Sequence, residues 1–162
     1  MIVLVMGVSG SGKTTIGEAL AKELGWKYLD ADDYHPKSNI EKMAAGIPLD
    51  DADRWPWLDR INEKLNELQK QNQSAVVGCS ALKAAYRKRL ARGIKDFEVV
   101  HLKGDFKLIH SRIAKRKHRF MPPSLLRSQF DTLEPPRDAI EVDVSAPIAG
   151  SVKKIKTQLR RG

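Results

Sequence analysis

The stretch Gly7-Val8-Ser9-Gly10-Ser11-Gly12-Lys13-Thr14-Thr15 fills every fixed position of the phosphate loop G-x-x-x-x-G-K-[ST]. Its glycines let backbone N–H groups converge on an anion, and the helix that follows turns its positive N-terminal end toward the same point. Lys13 supplies a point charge for the outer phosphates, and the Thr14 hydroxyl is an oxygen ligand suited to Mg²⁺. These residues specify a nucleoside triphosphate site. Gly7, Val8, Ser9, Gly10, Ser11, Gly12, Lys13, Thr14 and Thr15 are the expected nucleotide contacts.

Phosphoryl transfer depends on positioning and charge neutralisation more than on covalent chemistry. Two carboxylates, Asp30 and Asp32, end a short apolar segment. If the chain there is extended, alternation puts both on one face. One would then hold a magnesium-bound water while the other took the proton of an attacking hydroxyl; with Thr14, Asp30 is the metal candidate. The alternative is a solvated acidic turn. A third apolar segment ends in Gly78-Cys79-Ser80, with no carboxylate where many ATPases and GTPases keep their metal-binding Asp. That favours small-molecule kinases over motor ATPases.

Arg112, Arg116 and Arg119 lead into a proline-bounded segment, which suits a lid that covers the phosphates and excludes water. Among them Arg116 is the candidate for the transferring phosphate; the competing reading is an exposed basic helix end. Acceptor contacts are expected from Asp32, His35, Lys42 and Arg54, joined by Ser80, Lys83 and Arg87. Such a set, rich in cations and hydroxyl-binding groups, suits a substrate with several hydroxyls and a carboxylate or phosphate.

The elements that must carry these groups alternate. Strands are expected at Ile2–Met6, Trp26–Leu29, Ala75–Gly78, Phe97–Leu102 and Ala139–Val144. Helices are expected at 13–24, near 39–45, from an Asp53 cap to 71 with Pro56 in the first turn, at 80–92, 105–116, 125–130 and 148–159. Apolar strands alternating with helices predict an α/β, three-layer P-loop NTPase fold: a five-stranded parallel sheet with helices on both faces and a mobile lid. The loops after its first three strands then meet at one site, because ligands in such sheets bind beyond the carboxyl ends of the strands. Residues 1–162 read as one domain, with the phosphate loop at 7–15, an acceptor segment at 30–58 and the lid region at 112–136.

With 162 residues, 41% hydrophobic and 30% charged, the chain has the composition of a globular protein, and no apolar run approaches a membrane span. An N-terminus without a basic n-region argues against a signal peptide and for a cytoplasmic location. One cysteine, Cys79, excludes an internal disulfide and reads as a small buried residue. The net charge of +9 invites a nucleic-acid partner, but no reader motif accompanies it. An anionic small molecule explains the charge at least as well.

Longer blocks narrow the reading. Met6 through Gly17, Asp30-Ala31-Asp32-Asp33-Tyr34-His35-Pro36 with Asn39, Lys42-Met43, Gly46 and Pro48-Leu49, and Asp53-Arg54 with Pro56-Trp57-Leu58 resemble gluconokinases, thermoresistant type, of the shikimate-kinase-like group. Cys79-Ser80-Ala81-Leu82-Lys83 with Tyr86-Arg87, and Phe120-Met121-Pro122 with Ser128-Gln129-Phe130 and Leu133-Glu134, continue the resemblance over nearly the whole chain. It departs at Arg116-Lys117-His118-Arg119-Phe120, where the family usually reads Arg-x-Gly-His-Phe. The resemblance implies ATP- and Mg²⁺-dependent phosphorylation of D-gluconate at its 6-hydroxyl, feeding the pentose phosphate or Entner–Doudoroff routes, and a homodimer. By the same analogy Asp32 meets the acceptor hydroxyl, while Arg54, Lys83 and Arg87 are candidates for holding the sugar acid, the carboxylate's partner being unassigned. A shikimate or nucleoside-monophosphate kinase, and a nucleotide-dependent nucleic-acid-binding module, are the alternatives.

Overall fold

The structure, a computed structural model, describes residues 1–115 and 123–161, without the side chains of 160 and 161. The first strand, β1 (Ile2–Met6), is buried along its whole length. Val3 and Val5 enter one hydrophobic cluster, while Ile2, Leu4 and Met6 enter another on the opposite face. A strand apolar on both faces belongs in the middle of a covered parallel sheet. Here β1 pairs in parallel with β3 (Ala75–Gly78) on one side and β4 (Phe97–Lys103) on the other. With β2 (Lys27–Asp30) and β5 (Ile140–Asp143) at the edges, the order is β2-β3-β1-β4-β5, parallel throughout, as the sequence predicts.

Helices α1 (Lys13–Leu24), α5 (Phe106–Ala114), α6 (Pro123–Thr132) and α7 (Ile148–Arg161) contribute Leu20, Ile109, Leu126 and Ile155 to the Val3 face. On the Ile2 face, α3 (Asp51–Lys70) supplies Trp57, Leu58, Ile61 and Leu65, and α4 (Ala84–Ala91) supplies Tyr86 and Leu90. The remaining helix, α2 (Lys37–Ala44), gives no residue to either cluster. Among the described residues no helix is long and apolar enough to cross a membrane.

Three local expectations are corrected. The cap of α3 is Asp50, whose carboxylate accepts the Asp53 N–H, while the Asp53 side chain returns the bond to the Asp50 N–H. Both residues therefore work in one capping box, and Pro56 falls in the second turn. The carbonyl it deprives, that of exposed Ala52, lies where water can serve it. Residues 80–83 are not helical; α4 starts at Ala84, after Ala81 has taken a left-handed φ of 44°. Finally, the chain stops being extended at Asp30. Ala31–Tyr34 form a single 3-10 turn capped by the Asp30 carboxylate, which accepts the Asp32 N–H at 2.9 Å. Remaining boundaries lie within about two residues of expectation, except that Arg116, the expected end of α5, lies outside the described residues.

Candidate active site

The carboxyl ends of β1, β2 and β3 open into one cavity of about 710 Å³. Its floor is the phosphate loop. Gly12, at φ 97°, closes the loop as the N-terminal cap of α1, a conformation that would strain any residue with a Cβ. From above, Ile113 of α5 presses so closely on Gly10 that a Cβ there would lie 2.6 Å from its side chain. The loop is thus shaped by its neighbours and by its own glycines. Lys13 donates to the carbonyls of Gly7 and Val8 at 3.1 and 3.0 Å, so its ammonium is held over the loop. Gln129 of α6 reaches down to accept the Ser9 N–H at 2.7 Å and to donate to the Ser9 hydroxyl at 3.1 Å.

Asp30 and Asp32 both line the cavity, opposite the loop, although the turn replaces the expected extended chain. The turn is pinned from α3, where the Trp57 indole donates to the Ala31 carbonyl, between the two carboxylates, at 2.7 Å. The same indole stacks on His35, with ring centroids 4.1 Å apart. His35 is buried, and its burial, more than any neighbouring charge, lowers its pKa below the ordinary histidine value. Cys79 is buried at the end of β3, where desolvation pushes its thiol up to about 12. It is an inert wall residue.

Of the expected acceptor residues, Asp32, His35, Arg54 and Ser80 line the cavity. Arg54 donates to the Tyr86 hydroxyl at 2.9 Å, and Tyr86 in turn donates to Asp51. That bond, ahead of the attraction of Lys83 and Arg54, holds the Asp51 carboxyl below its usual range. Lys42, Lys83 and Arg87 are absent from the cavity wall. Lys42 pairs with Asp53 at 2.7 Å, and Lys83 lies 3.4 Å from Asp51. Arg87 spends its guanidinium on the carbonyls of Ala81, Leu82 and Glu134 at 2.8, 3.3 and 2.8 Å. It ties the 80–83 turn to the chain beyond α6, a bond of long sequence separation that no local pattern announces.

On the other side of the phosphate loop lies a second hollow of about 210 Å³, lined by Arg112, Val144, Ala146 and Ile148. Arg112 donates to the Val144 carbonyl at 2.7 Å. The two hollows meet at Gly10, Gly12 and Thr15. Arg116 and Arg119 lie outside the described residues, as does the departure from the family pattern around them. Sequence reasoning passed over Asn39, Trp57, Tyr86 and Gln129 as site groups. Asn39 and Gln129 stand in the family-like blocks, but their partners lie 14 and 120 residues away.

Comparison with known proteins agrees with this geometry. The shikimate kinase family model matches residues 9–140. The chain is 43% identical to the thermosensitive gluconokinase of Escherichia coli strain K12, covering 94% of this chain and 84% of that protein. It is 41% identical to the thermoresistant gluconokinase of the same strain, over 99% and 94%. With near-equal identity to both, the comparisons do not separate the two subtypes. The crystal structure of a gluconokinase from Sinorhizobium meliloti 1021 superposes with a TM-score of 0.89 at 43% identity, covering 98% of this chain and 91% of that one.

Proposed function

The chain belongs to the gluconokinase family of shikimate-kinase-like phosphate-loop kinases, and from that premise we propose that it transfers the γ-phosphate of ATP to the 6-hydroxyl of D-gluconate, releasing ADP and 6-phospho-D-gluconate. The observation that carries the site assignment is the shared cavity, with Lys13, Asp32 and Arg54 on its wall. In this reading residues 1–162 act as one kinase domain. The base of ATP enters the small hollow beside Arg112, and its phosphates cross the loop from Gly7 to Thr15. Gluconate occupies the larger cavity, and Ser80 hydrogen-bonds one of its hydroxyls.

Asp32 accepts the proton of the 6-hydroxyl as that oxygen bonds to the γ-phosphorus and the bond to the ADP oxygen breaks. Lys13 stays with the phosphates and offsets the charge that builds on the departing ADP. Arg116 and Arg119 are assigned, from sequence, to the transferring phosphate. Arg54 receives the gluconate carboxylate, because it alone among Arg54, Lys42, Lys83 and Arg87 reaches the cavity.

The donor set fits Mg²⁺. The Thr14 hydroxyl and the Asp30 carboxylate are hard oxygens, and no group of three or more His, Cys, Asp or Glu side chains forms a dedicated metal cage among the described residues. Mg²⁺ characteristically takes one or two protein oxygens and completes its shell with phosphates and water. When bound, it neutralises phosphate charge. Thr14 and Asp30 would hold it.

The test is ATP consumption by purified protein with Mg²⁺ and D-gluconate, shikimate, AMP or no acceptor. Turnover with gluconate alone, abolished in Lys13→Ala, is the expected result. Tight ATP binding without gluconate-dependent turnover would refute the proposal.

A further inference from the structure

Asn39 and His35 are two of the few buried polar side chains among the described residues, at 1% and 8% exposure. The Asn39 amide nitrogen lies 2.9 Å from the Asp53 carbonyl and 3.2 Å from Nδ1 of His35. A backbone carbonyl only accepts, so the amide must turn its NH₂ group that way; the flipped amide would set oxygen against oxygen. Both amide hydrogens are then committed, one to Asp53 and one to His35. Nδ1 of His35 must accept, which leaves the imidazole neutral with its proton on Nε2. Nε2 faces the Asp32 carboxylate, 3.7 Å from Oδ1.

We infer that Asn39 fixes His35 as the Nε2–H tautomer and that His35 aims this proton at Asp32, making His35 a positioning residue for the acceptor's base and not a ligand of the sugar acid. The inference rests on the reading of Asp32 given above. At 3.7 Å the hydrogen bond is not yet made, but the Asp32 side chain is 61% exposed and free to swing, while His35 is clamped. Such bonds commonly tighten only once substrate is bound. One Asp32 oxygen then rests on Nε2–H, and the other is left for the hydroxyl proton. The clamp comes from α2 and α3: the Trp57 ring stacks on His35, the Asn39 amide holds its Nδ1, and the Asp53 carbonyl fixes that amide. Burial keeps the imidazole neutral, in agreement with its lowered pKa. A neutral ring lends direction without adding charge.

Four measurements test this. In His35→Phe, which keeps a ring on Trp57 but has no donor, kcat should fall roughly 10- to 100-fold, a part of the roughly 100- to 10,000-fold that general-base catalysis supplies. KM for gluconate should stay within about twofold, as expected when an interaction serves the transition state alone. His35→Gln, whose amide nitrogen approaches the Nε2 position, should recover most of the rate; His35→Asn, which reaches only the Nδ1 position, should not. In an Asp32→Asn background, His35→Phe should cost nothing further. A raised KM with intact kcat would make His35 a sugar ligand and overturn the inference, as would fully multiplicative losses or equal rescue by Asn and Gln. Should His35→Phe fail to fold, the Gln and Asn pair decides.

The fourth readout needs no activity. Nitrogen-15 NMR of the uncomplexed protein at pH 7 should show His35 with a protonated Nε2 and a bare Nδ1. The opposite tautomer would overturn the inference whatever the enzyme phosphorylates. The expected tautomer without gluconate turnover would instead refute the functional reading while leaving the clamp intact.

Discussion

Arg54 is held before any substrate arrives. Its guanidinium rests on the Tyr86 hydroxyl and lies over the Tyr86 ring, 5.2 Å from the centroid, while Tyr86 is anchored by Asp51. An arginine fixed in this way loses little further freedom when it meets a carboxylate. Arg54→Met is therefore expected to raise KM for gluconate roughly 10- to 100-fold, the worth of a hydrogen bond to a charged group, with a smaller change in kcat. Steady-state kinetics at saturating ATP would show it. A loss confined to kcat would move Arg54 from substrate binding to the transferring phosphate. The sequence left Arg54, Lys83 and Arg87 as equal candidates for the sugar acid, with Lys42 nearby, because ranking requires knowing where the others go. Lys42, Lys83 and Arg87 are engaged by Asp53, Asp51 and three backbone carbonyls, contacts made across 11, 32 and up to 47 residues.

Tyr28 of β2 is packed into the space left by two glycines. A Cβ on Gly17 of α1 would overlap its ring, and one on Gly78 of β3 would overlap its hydroxyl. The helix, the edge strand and its neighbour can approach this closely because neither glycine has a side chain. Gly78→Ala should destabilise the protein by about 1–3 kcal/mol, the usual cost of overpacking, and Tyr28→Phe in the same chain should restore part of it by removing the overlapping oxygen. Denaturant midpoints of the two variants would check this; no recovery would place the strain elsewhere. Element types were legible because the inner strands β1 and β3 are short apolar runs and helices such as α1 carry their own stripe and stop, here Gly25, its C-terminal cap with φ 73°. Starts were less so. The run Asp50-Asp51-Ala52-Asp53 offers three carboxylates of equal capping power, and the choice depends on Asp53 answering Asp50 in kind. Residues 80–83 have helix-forming side chains and are diverted by the tie from Arg87 to Glu134, which lies 47 residues on.

For the molecule as a whole, two buried histidines act first as pH falls below neutrality. His35 and His101 both have pKa values lowered, first by burial, with Asp32 working against the shift at His35 and Glu141 at His101. In the unfolded chain each would take a proton near pH 6.5. Between that value and their lower folded values the unfolded state binds more protons, so stability rises with pH through this window and is lost as pH falls. The midpoint of urea unfolding should therefore drop as pH falls below about 6.5, and less steeply in His101→Leu than in the parent. An unchanged slope would assign the acid response to other groups.

The sheet order has a further consequence. The phosphate loop springs from β1, the middle strand, buried on both faces, whereas Asp30 and Asp32 lie at and just after the end of β2, an edge strand of half-exposed residues followed in the chain by a helix that joins neither core cluster. Nucleotide handling is thus rooted where any rearrangement would disturb two hydrophobic clusters at once. The carboxylates of the proposed acceptor side are rooted at the margin, where, apart from the packed Tyr28, Leu29 and Asn39, the residues of β2 and α2 can be rewritten at small cost to the whole. Such a division leaves descendants of this chain free to change what they phosphorylate while inheriting, unaltered, the means of doing it.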